Sequence, residues 1–273
     1  MKIALAQVTS GIDPVANARI LVDAVAEAAA AGAAMLFTPE MSGLVDRDRV
    51  RAATVLRAEG EDVVLAVVCA AAAEHRIWVQ LGSIAVLGES GKLANRALVI
   101  DDRGDVRARY DKIHLFDVDL PTGESWRESA AYAPGAGAVV VQTPVGALGL
   151  SICYDLRFAD LYRALSDAGA TVLAIPAAFT RPTGAAHWHV LMRARAIEAG
   201  AYVVAAAQTG VHQDGRATYG HSLVVDPWGE IMLDMGEGAG IGYAELDPAR
   251  VTEVRARIPV IAHRRPIPAV TLA

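Results

Sequence analysis

Three residues whose side chains can do chemistry follow strand-like runs of the sequence. Glu40 comes after "MLFTP", Lys112 after "RARYD" and Cys153 after "ALGLSI". Ligand sites of α/β proteins gather at the carboxyl ends of strands, so a carboxylate, an ammonium and a thiol at three such ends are expected to converge. Each residue also has a plainer interpretation. Free cysteine is commonly a small buried apolar residue, a glutamate after proline often begins a helix, and a lysine after aspartate is usually a solvated charge.

Taken together, the three groups suit covalent catalysis at a carbon bonded to nitrogen. A thiol attacks as the thiolate, and a nearby carboxylate takes its proton if burial raises the pKa of that carboxylate towards neutrality. A fixed ammonium stabilises the oxyanion that forms, and N–H groups at the start of the next helix add to it. We therefore expect attack on an amide or nitrile carbon, loss of ammonia and hydrolysis of a thioester. No G-x-S-x-G motif is present, and none of the seven histidines is needed.

The elements that must position these residues alternate along the chain. Helices are predicted over 14–31, 62–75, 157–168 and 185–198, and the first has Asp13 as its N-cap, Pro14 as its first residue and Gly32 as its stop. A long loop is predicted over about 112–135. Strands are predicted at 2–8, 34–40, 77–87, 93–101, 138–143, 146–152, 171–175, 201–207, 221–226, 230–233 and 241–246.

This order mixes strand–helix–strand crossovers with hairpins such as "VVVQTPVGALGL" and "SLVVDPWGEIML", whose turns contain Pro and Gly. The mixture does not fit a purely parallel sheet, and it favours two mixed sheets covered by helices, a layered α/β sandwich. We expect a single domain over 1–273. Its proline-interrupted tail, about 258–273, is expected to pack across the surface of its own chain or of a partner subunit.

Composition excludes several classes of function. The chain has 273 residues, 53% of them hydrophobic, and a net charge of −6 without the basic patch that nucleic-acid binding needs. Its apolar runs are too short to cross a bilayer, and the apolar start before Gln7 is too short for a signal peptide. Two cysteines in a chain of this length fit a reducing compartment. We therefore expect a cytoplasmic protein that binds neither nucleic acid nor membranes.

The sequence resembles the nitrilase superfamily of carbon–nitrogen hydrolases over essentially its whole length. The resemblance rests on "LFTPEMSG" around Glu40, "YDKIHLFDVDLP" around Lys112 and "GLSICYDLRFADLYR" around Cys153. Further matching stretches are "WRESAAYAPG", "HWHVLMRARAIE", "YVVAAAQTG", "YGHSLVVDPWGE" and "AHRRP". Three separated motifs that agree in order and spacing make the resemblance specific.

The resemblance implies a fold and a set of site residues. The fold is an αββα sandwich that pairs into a four-layer αββα–αββα homodimer. The Glu–Lys–Cys triad of the family falls on Glu40, Lys112 and Cys153, with Glu40 as base, and a second family glutamate falls on Glu128 of "WRESAAYAPG". Lys112 and the N–H of Tyr154 would hold the oxyanion, and Cys153 would form the acyl-enzyme. Neither a metal nor an organic cofactor is implied.

Within the superfamily, the motifs look most like the branch that contains deaminated-glutathione amidases and ω-amidases. That likeness implies hydrolysis of a linear amide of a small carboxylated substrate to a carboxylate and ammonia. The alternatives on the same triad are an ω-amidase acting on α-ketoglutaramate-type substrates, an N-carbamoyl amide hydrolase and a nitrilase. A catalytically silent binding protein is the non-enzyme alternative, although all four catalytic-type positions are filled. His189 departs from the branch, where relatives often have glutamate.

Three further residues are candidates for substrate binding. Arg157 lies four residues after Cys153, and a guanidinium suits a bidentate grip on a carboxylate. The alternative for Arg157 is a structural ion pair with Asp155 or Asp160. Phe179 and Thr183 follow the strand "TVLAIPA" near the same rim, where they would line the pocket or simply pack. His187 and Trp188 are expected to be packing or capping residues at the start of a helix.

Overall fold

Two six-stranded mixed sheets form the centre of the protein in the computed structural model, which describes residues 1–88, 91–119, 123 and 125–272. The first sheet consists, in spatial order, of β16 (Gly240–Glu245), β1 (Lys2–Gln7), β2 (Met35–Phe37), β3 (Trp78–Leu87), β4 (Leu93–Ile100) and β5 (Val106–Asp111). The second consists of β15 (Ile231–Asp234), β14 (Leu223–Val225), β11 (Tyr202–Ala205), β10 (Val172–Ala174), β9 (Gly146–Leu150) and β8 (Val140–Thr143).

Each sheet combines parallel strands at its centre with antiparallel strands outside them. In the first sheet β1, β2 and β3 are parallel, while β16, β4 and β5 pair antiparallel to their neighbours. In the second, β9, β10 and β11 are parallel, and β8, β14 and β15 are antiparallel. The expectation of two mixed sheets is therefore confirmed.

Side chains of the first strand alternate between two apolar layers. Ile3 and Leu5 are fully buried in one core cluster together with residues of the second sheet, such as Leu148. Ala4 and Ala6 belong to another cluster, whose other members come from the same sheet and from the helices outside it. Because successive residues of a strand point to opposite faces, this sheet has one face towards the other sheet and one towards its helices. The layers are those of an αββα sandwich.

Within the described ranges, six α-helices cover these sheets or follow them. They are α1 (Pro14–Ala30), α2 (Arg49–Val55), α3 (Val63–His75), α4 (Ala159–Asp167), α5 (Arg181–Ala199) and α6 (Pro248–Arg257). The predicted start of α1 is confirmed, because the Asp13 carboxylate accepts the N–H of Val15 at 2.9 Å and Pro14 follows. The predicted stop is also confirmed, since Gly32 has a φ of 76°. Among the described residues no helix is both long and apolar enough to cross a membrane.

Several local predictions were wrong. The predicted loop 112–135 contains a small hairpin, β6 (Asp117–Asp119) with β7 (Ser125–Arg127), and a 3-10 turn at Glu128–Ala130. The predicted helix 157–168 is found as α4, but the segment before it, Cys153–Arg157, is a 3-10 turn that was not predicted. A second hairpin, β12 (Thr209–Val211) with β13 (Ala217–Tyr219), and the short helix α2 were not predicted.

The C-terminal segment after α6 is held against its own chain by Arg264. Its guanidinium donates to Ser166 Oγ at 3.0 Å and to the carbonyl of Glu198 at 3.2 Å, and it pairs with the Asp167 carboxylate. Beyond this contact the apolar side chains of Ile267, Val270 and Leu272 are exposed. Ala273, the last residue of the predicted tail, lies outside the described residues.

Candidate active site

Strands from both sheets meet with their carboxyl ends at one edge of the sandwich. Glu40 lies three residues after β2, Lys112 directly after β5, and Cys153 three residues after β9. A bridge between Val8 and Gln208 joins the two sheets at this edge. The backbone of Glu40 is fixed there, because its carbonyl accepts the side-chain amide of Gln208 at 3.1 Å. The topology thus brings the predicted carboxylate, ammonium and thiol into one buried cluster.

Lys112 lies between two carboxylates in this cluster. Its Nζ donates to Glu40 Oε1 at 2.9 Å and to Glu128 Oε2 at 2.9 Å, and the side chain is only 2% exposed. The predicted fourth residue, Glu128, also accepts the backbone N–H of Phe116 at 2.7 Å, which fixes its carboxylate. The 3-10 turn that carries Glu128 therefore presents a second negative charge to the ammonium. Glu124, which does not match the family motif, lies outside the described residues.

Asn95 belongs to the same cluster and was missed in the sequence. Its Nδ2 donates to Glu40 Oε1 at 3.0 Å and to Glu128 Oε1 at 3.2 Å, so one amide group links both carboxylates. Among the described residues Asn95 Oδ1 has no hydrogen-bond partner although it is buried. One feature of the sequence could have pointed to Asn95 as a site residue: asparagine is disfavoured in strands, and Asn95 lies inside the strand-like run "LANRALVI".

Cys153 adopts a strained backbone conformation at the turn after β9. Its φ is 48°, in the left-handed region, and its N–H donates to the carbonyl of Pro176 at 2.9 Å. Met41, directly after Glu40, also has a positive φ, 55°. Non-glycine residues in this region cost about 1–3 kcal/mol each and persist where the surrounding structure fixes them, often at functional sites. The turns that position Glu40 and Cys153 therefore both contain a non-glycine residue in the left-handed region.

Asp155 fixes the turn that carries Cys153, a role that the sequence did not reveal. Its buried carboxylate accepts four hydrogen bonds. Tyr110 Oη donates at 2.7 Å and the N–H of Ile152 at 2.9 Å, both to Oδ2. The N–H of His114 lies 3.0 Å and its Nδ1 2.7 Å from Oδ1. The thiol turn is thereby tied to β5 and to the segment after Lys112.

The pKa of Glu40 contradicts the expectation from the sequence. Burial raises the pKa of this carboxyl, but the positive charge of Lys112 and hydrogen bonds from Cys153, Lys112 and Ala178 lower it, so that it lies below the ordinary 4.5. The N–H of Ala178 donates to Oε2 at 2.8 Å. The prediction of a pKa raised towards neutrality was therefore wrong, because it counted burial without the neighbouring ammonium.

The pKa of the Cys153 thiol is raised, whereas that of the Glu40 carboxyl is lowered. Burial and the Glu40 charge raise the pKa of Cys153 well above its ordinary 9.0. Burial lowers the pKa of Lys112, but the charges of Glu128 and Glu40 outweigh it and raise that pKa well above 10.5. At neutral pH the cluster thus holds a neutral thiol, an ionised carboxylate and an ammonium. The thiol of Cys153 is therefore not a preformed thiolate in this cluster.

Arg157 lies over the aromatic rings beside the cluster. Its guanidinium carbon is 5.8 Å from the ring centroid of Tyr154 and 5.4 Å from that of Phe179, and Nη1 lies 3.3 Å from His187 Nδ1. Within the described part of the chain Arg157 forms no ion pair. The alternative of a pair with Asp155 or Asp160 is therefore wrong, since the Asp155 carboxylate is occupied by other donors.

The remaining predicted residues lie around the start of α5. Phe179 is buried, with its ring 5.1 Å from that of Trp188, which is itself fully buried as predicted. His187 is exposed and contacts Arg157, so its prediction as a packing residue was wrong. Thr183 Oγ1 lies 2.7 Å from Thr180 Oγ1, and no hydrogen bond among the described residues joins it to Glu40, Lys112 or Cys153.

Tyr154 occupies the second position of the 3-10 turn Cys153–Arg157, where helical N–H groups lack partners within the helix. Its ring packs edge-on against Phe116 at 5.1 Å and against Phe158 at 5.4 Å. This packing holds the turn and with it the Tyr154 N–H next to the thiol. Among the described residues one group has a spacing that could hold a metal ion, His189, His221 and Asp234, and it includes none of the cluster's side chains.

Comparison with known proteins agrees with this geometry. The model of the Carbon-nitrogen hydrolase family matches residues 2–256. The chain is 40% identical to the deaminated glutathione amidase of Bos taurus over 269 residues, which cover 97% of this chain and 82% of the relative. It superposes on Saccharomyces cerevisiae Nit3, a member of branch 10 of the nitrilase superfamily, with a TM-score of 0.86 at 30% identity, covering 97% of this chain and 96% of that one.

An amidase from Nesterenkonia sp. AN1 gives a second structural match. The TM-score is 0.78 at 28% identity, over 95% of this chain and 98% of the neighbour, a mutant of which carries acrylamide added at its active-site cysteine. The family match over most of the chain, the identity to curated amidases and the fold agree with one another. The chain therefore belongs to the carbon–nitrogen hydrolase family, and it is a cysteine-dependent, amide-hydrolysing enzyme rather than a silent binding protein.

Proposed function

We propose that this enzyme hydrolyses a linear amide of a small α-keto acid through a thioester on Cys153, with deaminated glutathione as the best candidate substrate. The observation that carries the proposal is the buried Lys112, which contacts Glu40 and Glu128 at 2.9 Å each beside the strained thiol turn. The relatives named deaminated glutathione amidase support the choice of substrate.

The first half of the reaction forms the acyl-enzyme. Cys153 Sγ attacks the amide carbon while its proton passes to Glu40, and the carbonyl oxygen becomes an oxyanion held by Lys112 Nζ and the N–H of Tyr154. The carbon–nitrogen bond then breaks, and the leaving nitrogen takes the proton from Glu40. Ammonia leaves from a primary amide, and an amine leaves from a secondary one. The acyl group remains as a thioester.

The second half returns the enzyme to its starting state. Glu40 takes a proton from a water molecule, whose oxygen attacks the thioester carbon, and the same donors hold the second oxyanion. The carbon–sulfur bond breaks, the thiol recovers its proton from Glu40, and the carboxylic acid leaves. Glu128 and Asn95 keep the ammonium and the base in place through both steps. The sequence of steps requires neither a metal nor an organic cofactor.

Arg157 would bind the carboxylate of the substrate near the thiol. Its guanidinium has aromatic faces on two sides and no carboxylate partner among the described residues, so it is available for an anion. Phe179 forms part of the wall on which the guanidinium lies. Thr183 is a further pocket residue in this proposal, placed in the first turn of α5.

A substrate panel tests the proposed function. Purified enzyme is given deaminated glutathione, α-ketoglutaramate, an N-carbamoyl amino acid and a simple nitrile, and both ammonia and primary amine are quantified. The proposal predicts the highest kcat/KM for deaminated glutathione, read as release of the dipeptide amine. Preference for α-ketoglutaramate indicates an ω-amidase, whereas preference for the carbamoyl compound or the nitrile would contradict the proposed substrate class.

Arg157→Lys tests the binding of the substrate carboxylate. A lysine keeps the charge but loses the bidentate fork, so KM for a carboxylate-bearing amide should rise about tenfold while that for a neutral amide stays nearly unchanged. Arg163→Lys, in the neighbouring helix α4 and paired with Asp167, is the matched control. Equal effects of Arg157→Lys on both substrates would show that Arg157 does not hold the carboxylate.

The chain is further proposed to act as one catalytic domain over 1–273 that assembles into homodimers in the cytoplasm. Support for the dimer comes from one exposed apolar surface on α5 and the β14–β15 hairpin, formed by Val190, Ile197, Trp228, Ile231 and Met232. The exposed tail end would pack on the partner subunit. Two free cysteines fit the proposed compartment.

Ile197→Asp tests the proposed dimer surface. This variant should be monomeric by light scattering, and an unchanged dimer would exclude the surface.

A further inference from the structure

We propose that His189, His221 and Asp234 form a binding site for one divalent transition-metal ion, with Zn²⁺ as the ion that fits best. The three residues come from α5, from the connection between β13 and β14, and from the end of β15. Their ligating atoms all lie within 4.8 Å of one another. This site is independent of the proposed hydrolysis, because it uses none of the catalytic side chains.

The distances are close to those that a zinc ion requires. His189 Nε2 lies 2.9 Å from Asp234 Oδ2, and His221 Nδ1 lies 2.8 Å from Asp234 Oδ1. A tetrahedral Zn²⁺ with bonds of about 2.1 Å places its ligand atoms about 3.4 Å apart. Each imidazole therefore has to move about half an ångström away from its carboxylate oxygen to admit the ion, and the two imidazole nitrogens lie no more than 4.8 Å apart.

The chemistry of the three ligands selects the class of metal. Two imidazole nitrogens and one carboxylate oxygen suit Zn²⁺ and its neighbours among the divalent transition metals rather than Mg²⁺ or Ca²⁺, which prefer oxygen ligands. An imidazole coordinates a metal through an unprotonated nitrogen, so each coordinating ring would have its proton on its other nitrogen. The negative charge of Asp234 remains to face the cation, and a fourth position stays open to water.

The ligands are held in place by their surroundings. The carbonyl of His221 accepts a hydrogen bond from Trp188 Nε1 at 2.8 Å, and the backbone N–H of His221 donates to the carbonyl of Gly236 at 2.6 Å. The His221 ring stacks on the Tyr219 ring, with 4.4 Å between the ring centroids. Asp234 Oδ1 also accepts the N–H of Gly236 at 2.9 Å.

The backbone conformation of His221 is an independent indication of a ligand site at this position. In the part of the chain that the structure describes, four non-glycine residues have a positive φ: Met41, Arg76, Cys153 and His221, which has 55°. Arg76 ends α3, and Met41 and Cys153 carry the catalytic turns. His221 lies in neither context, and residues held in this region concentrate at ligand clamps as well as at active sites. In the single chain the side chains of the three ligands are 21–32% exposed, so they are not enclosed by the fold itself.

A zinc titration tests the site. Tag-free protein carrying Cys153→Ala, which removes the competing active-site thiol, is titrated with Zn²⁺ in a calorimeter. We expect one ion per chain. His189→Gln, which keeps a donor to Asp234, and Asp234→Asn should each weaken binding at least about tenfold. His75→Gln, at the end of α3, is the matched control and should bind zinc as the parent does.

Two further readouts separate a specific site from other zinc binding. Co²⁺ in place of Zn²⁺ should give visible d–d absorption without thiolate charge-transfer bands, and His189→Gln should lose it. Zinc at a hundredfold excess over its Kd should raise the Tm of the parent by about 5 °C and leave that of His189→Gln unchanged. Equal zinc affinity in the parent, His189→Gln and Asp234→Asn, or no zinc binding by the parent, would show that the three residues are only hydrogen-bonded to one another.

Discussion

Asp155→Asn is expected to destabilise the fold and misplace the catalytic thiol. The carboxylate of Asp155 accepts two hydrogen bonds on each oxygen, and its surroundings exclude water completely. An asparagine of the same shape has one oxygen and one NH₂ group. Whichever way the amide lies, its NH₂ faces two donors, one of which is a backbone N–H that has no means of accepting.

The magnitude follows from the four hydrogen bonds. The Tyr110 hydroxyl can turn and the His114 ring can change tautomer, so one backbone N–H, of Ile152 or of His114, is left unpaired at a cost of about 1–3 kcal/mol. The other three bonds lose the contribution of the charged acceptor, together about 2 kcal/mol. We expect the free energy of unfolding to fall by about 4 kcal/mol, which corresponds to a Tm lower by about 8 °C.

Urea unfolding followed by circular dichroism measures this change, with steady-state kinetics on the same preparations. The kcat should fall by about 10²-fold, since the turn that carries Cys153 loses its anchor. Asp23→Asn, an exposed residue in the middle of α1, is the matched control and should change stability by less than about 0.5 kcal/mol. If Asp155→Asn matches that control in both stability and kcat, Asp155 does not hold the thiol turn.

Three other predictions concern the same region. Glu128→Gln removes one of the two charges that hold Lys112 and should lower kcat about 10²-fold, whereas the exposed Glu74→Gln should leave kcat unchanged. The pH profile of kcat/KM should be flat from about 5 to 9, because the pKa of Glu40 lies below 4.5 and that of Cys153 well above 9.0. A limb near pH 6–7 would point to a histidine instead. Gly82→Ala should lower the free energy of unfolding by about 3 kcal/mol or more, because the Cβ of the new alanine would lie 2.0 Å from the carbonyl oxygen of Thr38. The control in the same urea titration is Gly60→Ala, where the space around the Cβ is open.

The parts of the fold that depend on local patterns could be predicted from the sequence. Asp13–Pro14 and Gly32 are local signals, and they mark the ends of α1 correctly. The mixture of strand–helix–strand crossovers and hairpins in the sequence predicted the two mixed sheets correctly. The hairpin β6–β7 was not predicted, because each of its strands is three residues long with one apolar residue, which is too short to show an alternating pattern.

The parts of the site that depend on contacts between distant residues could not be predicted. Asn95 and Asp155 act on residues 55 and 45 positions away along the chain, Glu40 and Tyr110, and nothing in their neighbouring sequence indicates the partner. The direction of the Glu40 pKa was predicted wrongly for the same reason. Burial is visible in an apolar run, but the distance from a carboxylate to an ammonium is set by the fold.

The acyl-enzyme on Cys153 is the most direct test of the proposed mechanism. Enzyme mixed with deaminated glutathione is quenched in acid within one turnover, digested and analysed by mass spectrometry. The mechanism predicts that the peptide containing Cys153 gains the mass of the α-keto acyl group, and that Cys153→Ala shows neither the adduct nor turnover. Turnover that survives Cys153→Ala, or an adduct on any other residue, would contradict it.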